Sequence, residues 1–179
     1  GVTLNSGASE TRTGYTFGGW TRVQNDSTTV ITTYSDSVSV TVYALWNINS
    51  YTVTYTAGTG GTITGTTPQT ISYGSSATQV TATPNTGYHF LNWSDSVSNP
   101  IRTDSNVTQN ISVTANFEKD TKTVVYTAGS GGTITGTASQ IVNYNDSATS
   151  VTATANSNYH FVSWSDGVLT ATRTDRNVT

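Results

Sequence analysis

Shifted by 71 residues, positions 52–108 fall on 123–179 without a gap, and 36 of the 57 aligned pairs are identical. Whatever fold the first stretch takes, the second takes too. Self-similarity at a fixed period marks a tandem array of one supersecondary unit. The aromatic stretch Gly87–Asp95, GYHFLNWSD, returns at Asn158–Asp166 as NYHFVSWSD. A cousin, GYTFGGWT, occupies Gly14–Thr21. In each, an aromatic pair is followed three residues later by Trp. Three copies imply three modules, over residues 1–48, 49–119 and 120–179.

Within a module the pattern has period two. Tyr51, Val53, Tyr55 and Ala57 alternate with Thr52, Thr54 and Thr56, and Ile111, Val113, Ala115 and Phe117 alternate with Ser112, Thr114 and Asn116. Such alternation lays one strand face on a core and the other in water. Thr suits the wet face because its branched side chain fits the pleat. The run Gly58-Thr59-Gly60-Gly61 permits a tight reversal, and 62–64 reads as the returning strand. Val80–Thr83 is a further strand, stopped at Pro84-Asn85, and Tyr88–Trp93 follows. The parity of Tyr88, Phe90 and Trp93 is uneven, so a bulge intervenes or one ring is exposed. No stretch carries a convincing amphipathic helix, beyond a single turn near Ser75–Thr78. The fold expected is mainly β: small modules arranged end to end.

Function classes fall away on composition and spacing. Charged residues are 9% of the chain and the net charge is −3, so no basic field exists to hold nucleic acid. No run approaches the ~18 apolar residues that span a bilayer. Cys is absent, which removes disulfides and thiolate metal sites. Together with the absence of Met and the wealth of Thr, Asn and Gly, this suits an exported surface protein. His89 and His160 occupy one repeat slot and lack metal-binding or general-base partners at fixed spacing. Asp95, Asp104, Asp166 and Asp175 fall short of the clustered oxygens that calcium requires and read as turn caps. The aromatics Tyr15, Phe17, Trp20, Tyr88, Phe90 and Trp93 could form a sugar-stacking platform, but a unit of ~70 residues needs them for its core. Neither glycine turn continues into a phosphate loop or a nucleophile elbow. No catalytic residue, cofactor or metal ligand is assigned.

The motif Thr11-Arg12-Thr13-Gly14-Tyr15-Thr16-Phe17-Gly18-Gly19-Trp20, closed by Val42-Tyr43-Ala44-Leu45-Trp46, resembles the Listeria–Bacteroides repeat family, which includes the internalin B-type repeats. The second and third modules are similar to the family's divergent branch, through Tyr51–Ala57, the Gly-Gly-Thr-Ile-Thr-Gly turn, Gly87–Asp95 and Val113–Phe117. The resemblance implies small β-grasp-like modules in tandem on bacterial surface or secreted proteins, without enzymatic activity.

Two function classes follow. In the first, the modules form a stalk or adhesin-like spacer whose partners are neighbouring repeats. The junctions, 46–50 and 118–121, are short enough to leave little free swing. In the second, subunits join head to tail into a filament. The third module contains no counterpart of Ile111–Phe117, the first contains no opening strand, and Val2-Thr3-Leu4-Asn5 resembles Val113–Asn116. An unpaired strand slot can be completed by a donated strand. Against that stands the equivalence of Val2–Leu4 to Val80–Ala82, which makes it the first module's own strand. A glycan-binding accessory module is a third class and rests only on the aromatics.

Overall fold

A computed structural model describes residues 2–3, 11–24, 26–35 and 39–179. Among these, regular structure is all β. The first repeat holds β1 (Val2–Thr3), β2 (Tyr15–Thr21), β3 (Thr33–Tyr34) and β4 (Tyr43–Ile48). The second holds β5 (Ser50–Ala57), β6 (Gly61–Thr64), β7 (Gln69–Ser72), β8 (Val80–Pro84), β9 (Tyr88–Trp93), β10 (Ile101–Arg102) and β11 (Ile111–Lys119). The third holds β12 (Thr121–Val125), β13 (Gly132–Thr135), β14 (Ser139–Asn143), β15 (Val151–Ala155) and β16 (Thr172–Arg173).

The repeats share one plan of two small sheets. In the second repeat the strand orders are β7-β5-β11-β9 and β10-β8-β6. The third repeats this as β12-β14 and β13-β15-β16, and the first as β2-β4 and β1-β3. In the third, residues 159–164, which correspond to β9, are not assigned to a strand.

By compactness the chain divides into two units, and the division runs through the second repeat. One comprises Gly1–Thr56, Ile63–Thr81 and Ile101–Thr114; the other comprises Ala57–Thr62, Ala82–Pro100 and Ala115–Thr179. In the first, Val53, Tyr55, Val80 and Val107 are at most 2% exposed. Val53 and Tyr55 are inward members of the period-two pattern, Val80 opens β8, and Val107 lies outside any strand. In the second, Trp93 and Ala115 are fully buried and Val151 nearly so. Burying one Trp is worth on the order of 5 kcal/mol before entropy is subtracted.

The uneven aromatic parity resolves as a bulge. Across β9 and β11, Phe90 faces Phe117 and Asn92 faces Asn116, which leaves Leu91 unmatched. The extra residue turns the strand by one step, so that Phe90 and Trp93 pack edge to face at 5.9 Å. Gly18 holds the same place between Phe17 and Gly19 in the first repeat, where Phe17 lies 5.4 Å from Trp20. The rings pack on one another and do not present a flat platform.

Candidate functional site: the module junctions

In a chain built from repeats, function depends on how one repeat is fixed to the next. The sequence places short junctions with little free swing at 46–50 and 118–121, and in the structure each is shorter still. Only Asn49 separates β4 from β5, and only Asp120 separates β11 from β12. The alternating pattern runs through the boundary, so the strands do too.

Around each single residue the same construction recurs. At the first junction the Asn49 N–H donates to Gly14 O (2.9 Å), and the Tyr73 N–H donates to Asn49 O (2.8 Å). At the second, Asp120 N–H donates to Gly87 O (2.9 Å) and Tyr144 N–H to Asp120 O (2.8 Å). The Tyr ring then lies on the glycine. A Cβ added to Gly14 would fall 2.1 Å from Tyr73 Cδ1, and one added to Gly87 would fall 2.0 Å from Tyr144 Cδ1. Both glycines have φ +77, a left-handed conformation that also disfavours a side chain. The glycine is therefore demanded twice, by backbone and by space. Their counterpart in the third repeat is Asn158, at φ 67.

Side chains add to each seam. Thr16 Oγ1 donates to Asn49 Oδ1 (2.6 Å), and the equivalent pair is His89 Nδ1 with Asp120 Oδ1 (2.8 Å). The histidine slot thus meets the junction aspartate, a partner 31 residues away that spacing within the motif could not suggest. The second junction also has Lys119 Nζ on Asp146 Oδ1 at 2.9 Å. Their mutual hydrogen bond raises the lysine and lowers the aspartate pKa. Among the described residues no group of three or more His, Asp or Glu converges as a metal site.

The recurring aspartates hold the body of each repeat. Asp104 accepts the Tyr55 hydroxyl (2.7 Å) and both prongs of Arg102 (2.8 and 2.7 Å). Asp175 accepts Tyr126 (2.6 Å) and the Arg173 fork. These two are partners of Arg and Tyr rather than turn caps. Burial opposes ionisation of Asp104, but Arg102 and Tyr55 bring its pKa below the usual value. Gln69 and Gln140, both buried, each bond two carbonyls and accept from one threonine's N–H and hydroxyl.

Residues 51–121 and 122–179 each match the divergent InlB B-repeat domain, and residues 1–45 match the Listeria-Bacteroides repeat domain. The chain belongs to the divergent InlB B-repeat family. No curated protein and no solved structure matches it. In the first repeat the segment Val2–Asn5 is only partly placed. Val2 and Thr3 form β1, paired antiparallel with Tyr34 and Thr33, while Leu4 and Asn5 lie outside the described residues. The junction residues Gly14, Asn49 and Tyr73, and Gly87, Asp120 and Tyr144, escaped the sequence reading as a group. The available signal was Tyr73 and Tyr144: identical in both repeats, yet outside any alternating strand.

Proposed function

We propose that this array is a stiff, non-catalytic spacer in a bacterial surface or secreted protein, holding whatever it carries away from its point of attachment. The observation that carries this reading is the repeated junction, in which a single connecting residue, two backbone hydrogen bonds and a Tyr ring on a glycine leave no swivel. A one-residue connection between strands has no slack to lose, so each junction costs little ordering entropy to hold. The Thr-rich faces and low charge suit such a role. The head-to-tail filament in which Val2–Asn5 is donated competes less well, because Val2 and Thr3 are already paired with β3.

Small-angle scattering of the whole chain, beside a chain carrying Gly14→Ala and Gly87→Ala, tests the proposal. A rigid-particle profile that becomes flexible in the double variant supports it. A flexible-linker profile for the unaltered chain overturns it.

A further inference from the structure

We infer that β14 (Ser139–Asn143) is a self-pairing edge, and that its occupant is β14 of a second copy of this chain, set antiparallel about a two-fold axis through Ile141. The strand forms a two-stranded sheet with β12 and has no neighbour on its other side among the described residues. It lies wholly within one compact unit, and the pairing does not depend on the stiffness of the junctions.

The register fixes which backbone groups face the open edge. Across β12 and β14, Lys122 stands opposite Val142, Thr123 opposite Ile141 and Val124 opposite Gln140. Just beyond the two ends, the Tyr126 N–H donates to Ala138 O (2.7 Å) and the Tyr144 N–H to Asp120 O (2.8 Å). Bonded and non-bonded pairs alternate along an antiparallel ladder. Gln140 and Val142 therefore turn their N–H and C=O groups to β12, whereas Ser139, Ile141 and Asn143 turn theirs outward. Asn143 O accepts the Asp146 N–H (2.9 Å), which leaves its N–H for the edge. The Ile141 side chain, at the centre of the strand, is 77% exposed.

The second repeat supplies an internal comparison. Its matching edge strand is β7, where Pro68 and Thr70 stand in the places of Ser139 and Ile141. The Tyr73 N–H bond to Asn49 O (2.8 Å) sets the same alternation there, so Pro68 and Thr70 hold edge-facing positions. Proline offers no N–H, and proline or polar residues on an edge discourage pairing with another chain. The third repeat has neither: Ser139 restores the donor, and Ile141 brings an apolar, β-branched side chain. No residue of β14 is charged. About the two-fold axis Ile141 meets Ile141, Ser139 meets Asn143, and Asp146 falls opposite Gly136, so no charge meets its like. The edge then gains reciprocal bonds between the two Ile141 residues and from each Asn143 N–H to Ser139 O. Two marginal two-stranded sheets become one of four strands. A two-fold contact uses the same patch on both copies and closes, so association stops at the dimer.

Sedimentation of the full chain over a concentration series tests this. A monomer–dimer equilibrium is expected. Ile141→Lys sets two ammonium groups face to face, and Ser139→Pro restores the proline of the second repeat. Each should raise the dissociation constant about tenfold or more. Urea unfolding of both variants at low concentration checks that the monomers stay folded. Ile141→Cys then reads the register, since the chain has no cysteine of its own. Bonded antiparallel partners have Cα atoms about 5.5 Å apart, within reach of a disulfide. Mild oxidation should therefore link Ile141→Cys chains into dimers, whereas Ser139→Cys, which faces Asn143 and not itself, should link poorly. A chain that stays monomeric at every concentration would overturn the inference. So would a dimer that withstands Ile141→Lys, or equal cross-linking of the two cysteine variants.

Discussion

Replacing Gly87 by Ala separates what the junction owes to its backbone from what it owes to the Tyr seat. Two costs are expected. Holding a non-glycine residue at φ +77 costs about 1–2 kcal/mol. The new methyl would also lie 2.0 Å from Tyr144 Cδ1, so the ring must leave its place, at about 1–3 kcal/mol for an overpacked site. The sum is about 3 kcal/mol. Gly167→Ala is the internal control, because Gly167 has φ +86 but nothing within 4 Å of an added Cβ; it should show only the first cost. Urea unfolding at unchanged slope gives both values. A double-mutant cycle with Tyr144→Ser then isolates the clash, since removing the ring should return Gly87→Ala to the Gly167→Ala level. Equal costs for the two alanine variants, or a cost that survives Tyr144→Ser, would refute the seat as the fixing element.

Gln140→Leu deletes four hydrogen bonds around a side chain that is 8% exposed and leaves the Thr149 N–H without its acceptor. A loss of about 3 kcal/mol is expected in urea unfolding, and less than about 1 kcal/mol would show that water replaces the glutamine. Phe117→Ala should cost about 2 kcal/mol, since the ring is half-buried, and should expose Trp93 to fluorescence quenchers. The Tyr126–Asp175–Arg173 cluster predicts losses at both ends of the pH scale. Arg173's hydrogen bonds, helped by Tyr126 and opposed by burial, hold Asp175 below its usual pKa, so its stabilisation is complete above the unfolded value near ~4 and is lost as pH falls through the folded one. Burial, then the bond to Asp175, pushes Tyr126 up to about 12. The unfolded chain therefore ionises first, and stability falls as pH rises from about 10 to about 12. Asp175→Asn should flatten the acid limb of a stability–pH curve; an unchanged limb would remove the aspartate as its source.

The strands were legible because period-two alternation and burial are local signals. Val53 and Tyr55 face inward as their spacing requires, and the gap-free duplication carried the plan from one repeat to the next. The bulge was legible only as a choice, since the sequence showed that Phe90 and Trp93 conflict in parity but not that Leu91 would be the residue set aside. The junctions were legible in position, at 46–50 and 118–121, but not in construction: the hydrogen bonds that make Asn49 and Asp120 part of a ladder involve Gly14 and Gly87, more than 30 residues earlier. The Tyr–Asp–Arg clusters were hidden for the same reason. Tyr55 and Asp104 are 49 residues apart, and nothing in either neighbourhood names the other.

The comparison of the two junctions also indicates which interactions fix them. The ion pair Lys119–Asp146 exists only at the second; at the first, the same places hold Ile48 and Ser75. The His89–Asp120 pair is replaced there by Thr16 and Asn49, a neutral hydrogen bond. Charge therefore varies while the geometry does not, and exposed ion pairs contribute little in any case. What both junctions share is the backbone bonds through one residue and the aromatic ring on a glycine. These depend on shape and backbone conformation, so they are insensitive to salt and to the identity of exposed side chains. A junction fixed in this way can vary its exposed side chains from repeat to repeat and keep its construction, provided the glycine and its tyrosine are kept together.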